Sequence, residues 1–226
     1  MKKAATVILL RDAIDGIEVL LLERSKALQV LGGYWVFPGG KLDDTDQGDS
    51  LQDRLVQTAL REVKEETGIE LLSDSLIPVS RWQTPEGIPK RFDTYFYVAL
   101  CNDDQVTIDN SEIIGYQWLS CSRALRSHQQ GLAPMMPPTV ISLMKVNQFD
   151  KVTEALTNFL SRPNEFYSPK IQQSEGKTLM IYNHDERYSD ESAQGCIDRC
   201  VWVEDHWEYK SNILIKSCYS SSDKQD

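Results

Sequence analysis

The segment 50–68 constrains this chain more than any other. Leu51, Leu55, Ala59 and Val63 recur at every fourth position, as the buried stripe of an amphipathic helix does. Ser50 and Asp53 have the spacing of a capping box at the helix start, and Gly68 supplies the residue best able to close its end. On such a helix Glu62, Glu65 and Glu66 stand at i, i+3 and i+4, so three carboxylates point the same way. A helix with one apolar stripe must lie on another layer.

The remainder supplies that layer. Residues 4–10 and 18–22 are apolar runs separated by Asp12-Ala13-Ile14-Asp15-Gly16, which predicts a hairpin turning near Asp15-Gly16. Residues 34–37 read as a short strand stopped by Pro38-Gly39-Gly40, and a polar loop, 41–49, leads to the helix. Further strands are expected at 77–82, 93–100 and 115–119, and helices at 122–128 and 139–160, the latter broken near 147–150. Beyond Ser161, Pro163 and Pro169 mark a change of character before β-like stretches at 178–182, 199–203 and 207–215. The expectation is a domain over 1–160, an α/β/α sandwich around a mixed sheet, with a C-terminal β-rich extension over 161–226 packed on it and a disordered tail from about 217.

The 226 residues, 41% hydrophobic and 26% charged, describe a soluble globular protein able to bury a sizeable core. A formal net charge of −10 argues against sequence-independent binding to nucleic acid, which needs clustered Lys and Arg. A polyanionic substrate must therefore meet local positive charge or a metal ion. Five scattered cysteines make no disulfide framework, and Cys196, Cys200 and His206 have the spacing of no common zinc site. The opening Met1-Lys2-Lys3 and its apolar run imitate a signal peptide but read better as a first strand, and no apolar run reaches the roughly 18 residues of a membrane span. Cytoplasmic localisation is the expectation, with no membrane partner; a homodimer is compatible with it.

Three carboxylates with oxygen donors only favour a hard cation, Mg²⁺ or Mn²⁺, over zinc. Spacing alone also fits a solvated acidic face. The surrounding pattern decides between them: Gly39-Gly40 closes a strand, a loop follows, and the helix ends Arg61-Glu62-Val63-Lys64-Glu65-Glu66-Thr67-Gly68-Ile69. This resembles the motif of the Nudix hydrolase family, in which Gly, five residues, Glu and seven residues precede Arg-Glu, an aliphatic, any residue, Glu-Glu, any residue and Gly. Gly40 lies seven residues further from Arg61 than that motif allows, which implies an inserted loop. The isolated Glu is missing: counting forward from Gly40 gives Asp46, which also reads as a turn residue, and counting back from Arg61 gives Asp53, which also reads as the cap partner of Ser50.

The resemblance implies that Glu62, Glu65 and Glu66 bind metal, with the Gly40 carbonyl as a further contact, and that Arg61 orients the catalytic carboxylates. Glu112, six residues before Trp118, is the candidate for a further acidic residue from a later loop; the general base is either Glu62 or Glu112. Leu20-Leu21-Leu22-Glu23-Arg24-Ser25, then Gly33 and Phe37-Pro38-Gly39-Gly40, resemble the branch of the peroxisomal (acyl-)coenzyme A diphosphatase and its bacterial relatives. Leu22 stands where that branch has Thr and Gln29 where it has Arg. Arg81-Trp82, Lys90-Arg91-Phe92 and Pro137-Pro138-Thr139 look like the same branch, which also carries the inserted loop. The implied reaction is hydrolysis of the diphosphate in coenzyme A, acyl-coenzyme A or another nucleoside diphosphate derivative such as ADP-ribose or NADH. Arg24, Arg81 and Arg91 are the candidates for phosphate contacts, Trp82 and Phe92 for stacking on a base. The alternative from another class is a Nudix module that senses such a nucleotide without cleaving it.

Overall fold

In chain order the elements are β1 (Lys2–Ala13), β2 (Gly16–Arg24), β3 (Trp35–Val36), β4 (Gly39–Lys41), α1 (Leu51–Thr67), β5 (Ile77–Gln83), β6 (Phe92–Leu100), β7 (Ile113–Ser120), α2 (Cys121–Gln129), α3 (Pro137–Val146), α4 (Val152–Leu160), β8 (Glu165–Tyr167), β9 (Lys170–Ser174), β10 (Lys177–Ile181), β11 (Asp198–Val203) and β12 (His206–Ser211). The computed structural model describes residues 1–212 except 103, 104 and 109. The expected tail from about 217, the end of the strand expected over 207–215 and Cys218 lie outside the described residues.

Eight strands form a mixed sheet in the order β3-β2-β1-β6-β5-β8, with β4 also on β1 and β7 on β2. β1 runs parallel to β6 and β5 to β8; the other pairs are antiparallel. The unbroken apolar runs of β1 and β2 follow from burial on both faces. Ala5, Val7, Leu9, Leu20, Leu22, Tyr97 and Ala99 face α1, packing on Leu55, Ala59 and Val63. Ile8, Leu10, Val19, Leu21, Phe96 and Val98 face α2, α3 and α4. Leu51, expected in the buried stripe of α1, is its first residue and is 42% exposed.

One boundary differs from expectation. Gly39-Gly40 does not end strand structure: after Pro38 the chain re-enters the sheet as β4, with Ala5 opposite Gly40 and Thr6 opposite Gly39. The second late helix is indeed two, and α4 begins where the Val152 N–H finds the Asp12 carboxylate at 3.0 Å, which satisfies one of the free donors of its first turn.

Past residue 161 the chain first adds β8 to the edge of the large sheet, then forms an antiparallel sheet of four strands, β12-β11-β10-β9. Met180, Tyr182, Cys200, Trp207 and Tyr209 from these strands share one apolar cluster with Val140, Ile141 and Met144 of α3. The buried imidazole of His128, on α2, lies 3.2 Å from the backbone N and O of Trp207, tying α2 to β12. Among the described residues no helix is long and apolar enough to cross a membrane.

Candidate active site

Local chemistry fixes α1 at both ends. The Ser50 side chain accepts the Asp53 N–H at 3.1 Å, the Asp53 carboxylate accepts the Ser50 N–H at 3.0 Å, and Gly68 closes the helix at φ 74°. Asp53 is thereby taken up by the cap. Asp46 has a different place. Its carboxylate accepts Nε and Nη2 of Arg61 at 2.8 and 3.1 Å, the Asp43 N–H at 2.9 Å and the Thr58 hydroxyl at 2.8 Å. Burial opposes the charge on Asp46, but these hydrogen bonds outweigh it and hold the carboxyl down at about 2. The position counted forward from Gly40 is thus the one that grips Arg61.

The rest of the Arg61 fork reaches outward. Nη1 donates to Glu62 at 2.9 Å and to Glu65 at 3.1 Å, and Nη2 also donates to the Lys41 carbonyl at 3.0 Å. Arg61 therefore aims two of the three carboxylates. Glu66 is held separately, accepting the Gly39 N–H at 2.9 Å. Burial pushes its carboxyl up to about 8 against that hydrogen bond, and the negative charges of Glu62 and Glu112 add to the shift. Burial also raises Glu62, in spite of Arg61.

Two glycines allow this closeness. A Cβ on Gly40 would fall inside the Glu62 carboxylate, and one on Gly39, at φ 155°, would overlap Thr6 and the Ala5 carbonyl. Arg24 and Glu112 complete the cluster from the far side. A bulge in the β2–β7 ladder at Glu23/Arg24 lets the ends of both strands turn inward. Arg24 Nη2 then lies 3.4 Å from the Glu112 carboxylate, and both groups are close enough to Glu66 to perturb it. Arg24 Nε is buried with no hydrogen-bond partner among the described residues.

The donors fit a hard divalent cation. All are oxygens, and the carboxylates of Asp46, Glu62, Glu65, Glu66 and Glu112 outnumber the guanidiniums of Arg24 and Arg61. A buried Glu66 whose proton is held by burial and like charge is a group that a cation would ionise. Among the described residues no three acidic, His or Cys side chains already converge as a finished cage. Arg61 holds Glu62 and Glu65 to one side while Gly39 holds Glu66 to the other.

The substrate-contact candidates separate. Arg24 lies in the cluster. Arg81 does not: its Nε and Nη2 grip Asp93 at 2.7 and 2.8 Å, between the rings of Tyr95 and Phe166. Trp82 is 4% exposed on the opposite face of the sheet, its ring stacked 3.7 Å from that of Tyr167, so it belongs to the core and has no face free for a base. Arg91 Nε donates to the Thr84 carbonyl and the Phe92 N–H to the Thr84 hydroxyl, so both brace the loop 84–91. In the extension Cys200 is buried and receives the Tyr182 hydroxyl, whereas Cys196 is half-buried. The sequence left Asp46 open and gave no sign of Thr58, because the folding of an inserted loop back onto a helix leaves no periodicity to read.

Known proteins can be set beside this geometry. The family model described as NUDIX domain matches residues 1–138. A Caenorhabditis elegans protein carried under the provisional name nudix hydrolase 7 is 28% identical, over 58% of this chain and 56% of its own. The m7GpppN-mRNA hydrolase NUDT17 of Xenopus laevis is 26% identical, over 66% of this chain and 54% of its own. The chain thus spans about half the length of the curated relatives it matches. The crystal structure of a NUDIX hydrolase from Alicyclobacillus acidocaldarius superposes with a TM-score of 0.63 at 24% identity, covering 72% of this chain and 98% of that one. Shared architecture, the glycine strand set against a carboxylate helix and the match over 1–138 lead to one assignment: the chain belongs to the NUDIX-domain family.

Proposed function

We propose that this protein is a divalent-cation-dependent pyrophosphohydrolase cleaving the diphosphate linkage of a nucleoside diphosphate derivative, with coenzyme A or acyl-coenzyme A as first substrate and 3′,5′-ADP and (acyl-)phosphopantetheine as products. The observation that carries it is the Arg61 fork, which holds Glu62, against Gly40, and Glu65, while the Gly39 N–H holds Glu66. Bound Mg²⁺ or Mn²⁺ supplies Lewis-acid polarisation of a phosphoryl oxygen and a lowered pKa for the attacking water. Glu62, Glu65 and Glu66, with the Gly40 carbonyl, would hold the cation. Glu112, exposed and 3.4 Å from Arg24, or Glu62 would take a proton from water. Arg24, whose Nη2 lies 3.4 Å from Glu112, would pair with a phosphate oxygen. The coenzyme A reading rests on the run 20–25 leading to Gly33 and Phe37-Pro38-Gly39-Gly40.

Hydrolysis of capped RNA is the second reading, favoured by the name of the Xenopus laevis relative. The net charge of −10 weighs against a long RNA channel. The test is hydrolysis of coenzyme A, acyl-coenzyme A, ADP-ribose, NADH, diadenosine polyphosphates and capped RNA with Mg²⁺ or Mn²⁺, beside Glu65→Gln and Glu66→Gln. We expect release of 3′,5′-ADP from coenzyme A, reduced on the order of 10²–10³-fold in each variant, as when preorganised charge stabilisation is removed. Turnover of another compound alone would remove coenzyme A. Tight binding without turnover of any would replace the enzyme by a sensor.

A further inference from the structure

At the end of the sheet where β2 finishes and β6 begins, two loops meet. Residues 25–33 follow Arg24, and residues 84–91 join β5 to β6. Their sequences hold Lys26, Lys90 and Arg91 against a single carboxylate, Glu86, in a chain whose overall charge is −10. Arg91 is fastened to Thr84. Lys26 and Lys90 are exposed, and among the described residues neither pairs with a carboxylate.

Both loops are built rather than slack. Loop 25–33 closes on itself through Gly33 N–H to the Arg24 carbonyl at 2.9 Å and Leu28 N–H to the Ser25 carbonyl at 3.1 Å, with Leu31 and Gly33 at φ 53° and 79°. The Lys26 stem lies on the bare face of Gly33, where even a methyl group would meet it at 3.3 Å. Lys90 Nζ reaches across to Gln29 Oε1 at 3.4 Å and joins the two loops. The metal helix is near: Lys2 N–H donates to the Arg91 carbonyl, and three residues along the same strand Ala5 faces Gly40, which abuts Glu62. Arg24 closes the first loop, its carbonyl accepting the Gly33 N–H, and its Nη2 lies 3.4 Å from the Glu112 carboxylate.

We propose that Lys26, on the loop that follows Arg24, and Lys90, on the loop tied to it through Gln29, form an anion subsite that takes a further phosphate of the substrate, one that is not part of the cleaved linkage. The subsite rests on the pyrophosphohydrolase reading and narrows it to substrates with three or more phosphates or with a phosphorylated ribose. Two cations that pair with no carboxylate among the described residues, on loops tied to each other through Lys90 and Gln29, give an attraction to phosphate that carboxylate neighbours would otherwise cancel.

The test uses matched compounds that differ by one phosphate: coenzyme A against dephospho-coenzyme A, and NADPH against NADH. For the full chain and the double variant Lys26→Gln/Lys90→Gln, the quantity read is the ratio of kcat/KM for the phosphorylated over the dephosphorylated member. We expect the ratio to fall about tenfold in the double variant, mostly through KM, as for the loss of charge-assisted contacts in a partly solvated place. An unchanged ratio overturns the subsite. Equilibrium binding of the same pairs to Glu66→Gln keeps the two readings apart. No hydrolysis of any compound, with binding that still prefers the phosphorylated member and loses that preference when both lysines are replaced, would sink the enzyme and keep the subsite. Binding without preference would sink the subsite by itself.

Discussion

Two arginine–aspartate clamps in this molecule are built alike and do different work. In the active-site loop Asp46 accepts Nε and Nη2 of Arg61 together with a backbone N–H from Asp43. In the extension Asp185 accepts Nε and Nη2 of Arg199 at 2.6 and 2.8 Å, with N–H groups of Arg187 and Asp198 at 2.9 and 2.7 Å. Both aspartates are buried, at 3% and 0% side-chain exposure. The arginines differ. Arg199 is 12% exposed and turned wholly onto its partner, whereas Arg61 is 26% exposed and carries Nη1 outward to Glu62 and Glu65. A clamp closed on itself staples strands; a clamp with a free arm aims other charges, which is what a cation site requires.

Breaking both clamps separates the roles. Asp185→Ala leaves Arg199 buried without its partner and two backbone N–H groups unsatisfied, so we expect a loss of about 3 kcal/mol in urea unfolding. Activity per folded molecule should be unaltered, since the clamp touches no active-site group. Asp46→Ala frees Arg61 toward solvent, so it should cost about 1–2 kcal/mol. It should also lower kcat/KM about 10–100-fold, the range seen when outer-shell partners of metal ligands are removed. Equal effects of the two substitutions on turnover would erase the distinction.

Acid sharpens the comparison. The carboxyl of Asp46 is held at about 2, below the ordinary 3.8, so the charged form is the one that the fold favours. A depressed carboxyl contributes stability that is complete above the unfolded value and is lost as pH falls through the folded one. The gap in unfolding free energy between the native chain and Asp46→Asn, about 2 kcal/mol near neutrality, should therefore close between about pH 4 and pH 2. A gap that stays constant over that window would mean that Asp46 holds Arg61 by shape alone and not by charge.

How far these differences were legible beforehand depended on range. The cap at Ser50, the Gly68 stop and the hairpin near Gly16 are local patterns, and each stands where the residues placed it, whereas the three carboxylates expected to point one way are divided, Glu62 and Glu65 on Arg61 and Glu66 on the Gly39 N–H. The choice between Asp46 and Asp53 was not local, since only the fold of residues 41–49 brings Asp46 under Arg61. Trp82 misled for a related reason. Along β5 adjacent residues point to opposite sides, and nothing in the order Arg81-Trp82 says which of them enters the core. In the extension β10, β11 and β12 were legible, but β8 and β9 lie in what read as a polar linker, and the β8 pairing with β5 joins residues some eighty positions apart.

The smallest expected effect on stability falls within the site, between neighbouring glycines. Gly39 and Gly40 both lack room for a side chain, yet what crowds them differs. Alanine at Gly39 would meet the Ala5 carbonyl and Thr6 in a backbone conformation, φ 155°, that side chains rarely adopt, so strain falls on the sheet and should cost about 1–2 kcal/mol. Alanine at Gly40 would meet the far end of Glu62, which can swing aside, so its cost should stay within about 0.5 kcal/mol. The displaced carboxylate is one of those Arg61 aims, and turnover should fall about tenfold, with a raised requirement for Mg²⁺. Thermal unfolding and a Mg²⁺ titration of both variants read the two consequences apart. A Gly40→Ala protein with native Mg²⁺ dependence would show that Glu62 is not held where the cation needs it, and the outward arm of Arg61 would then have only Glu65 to aim.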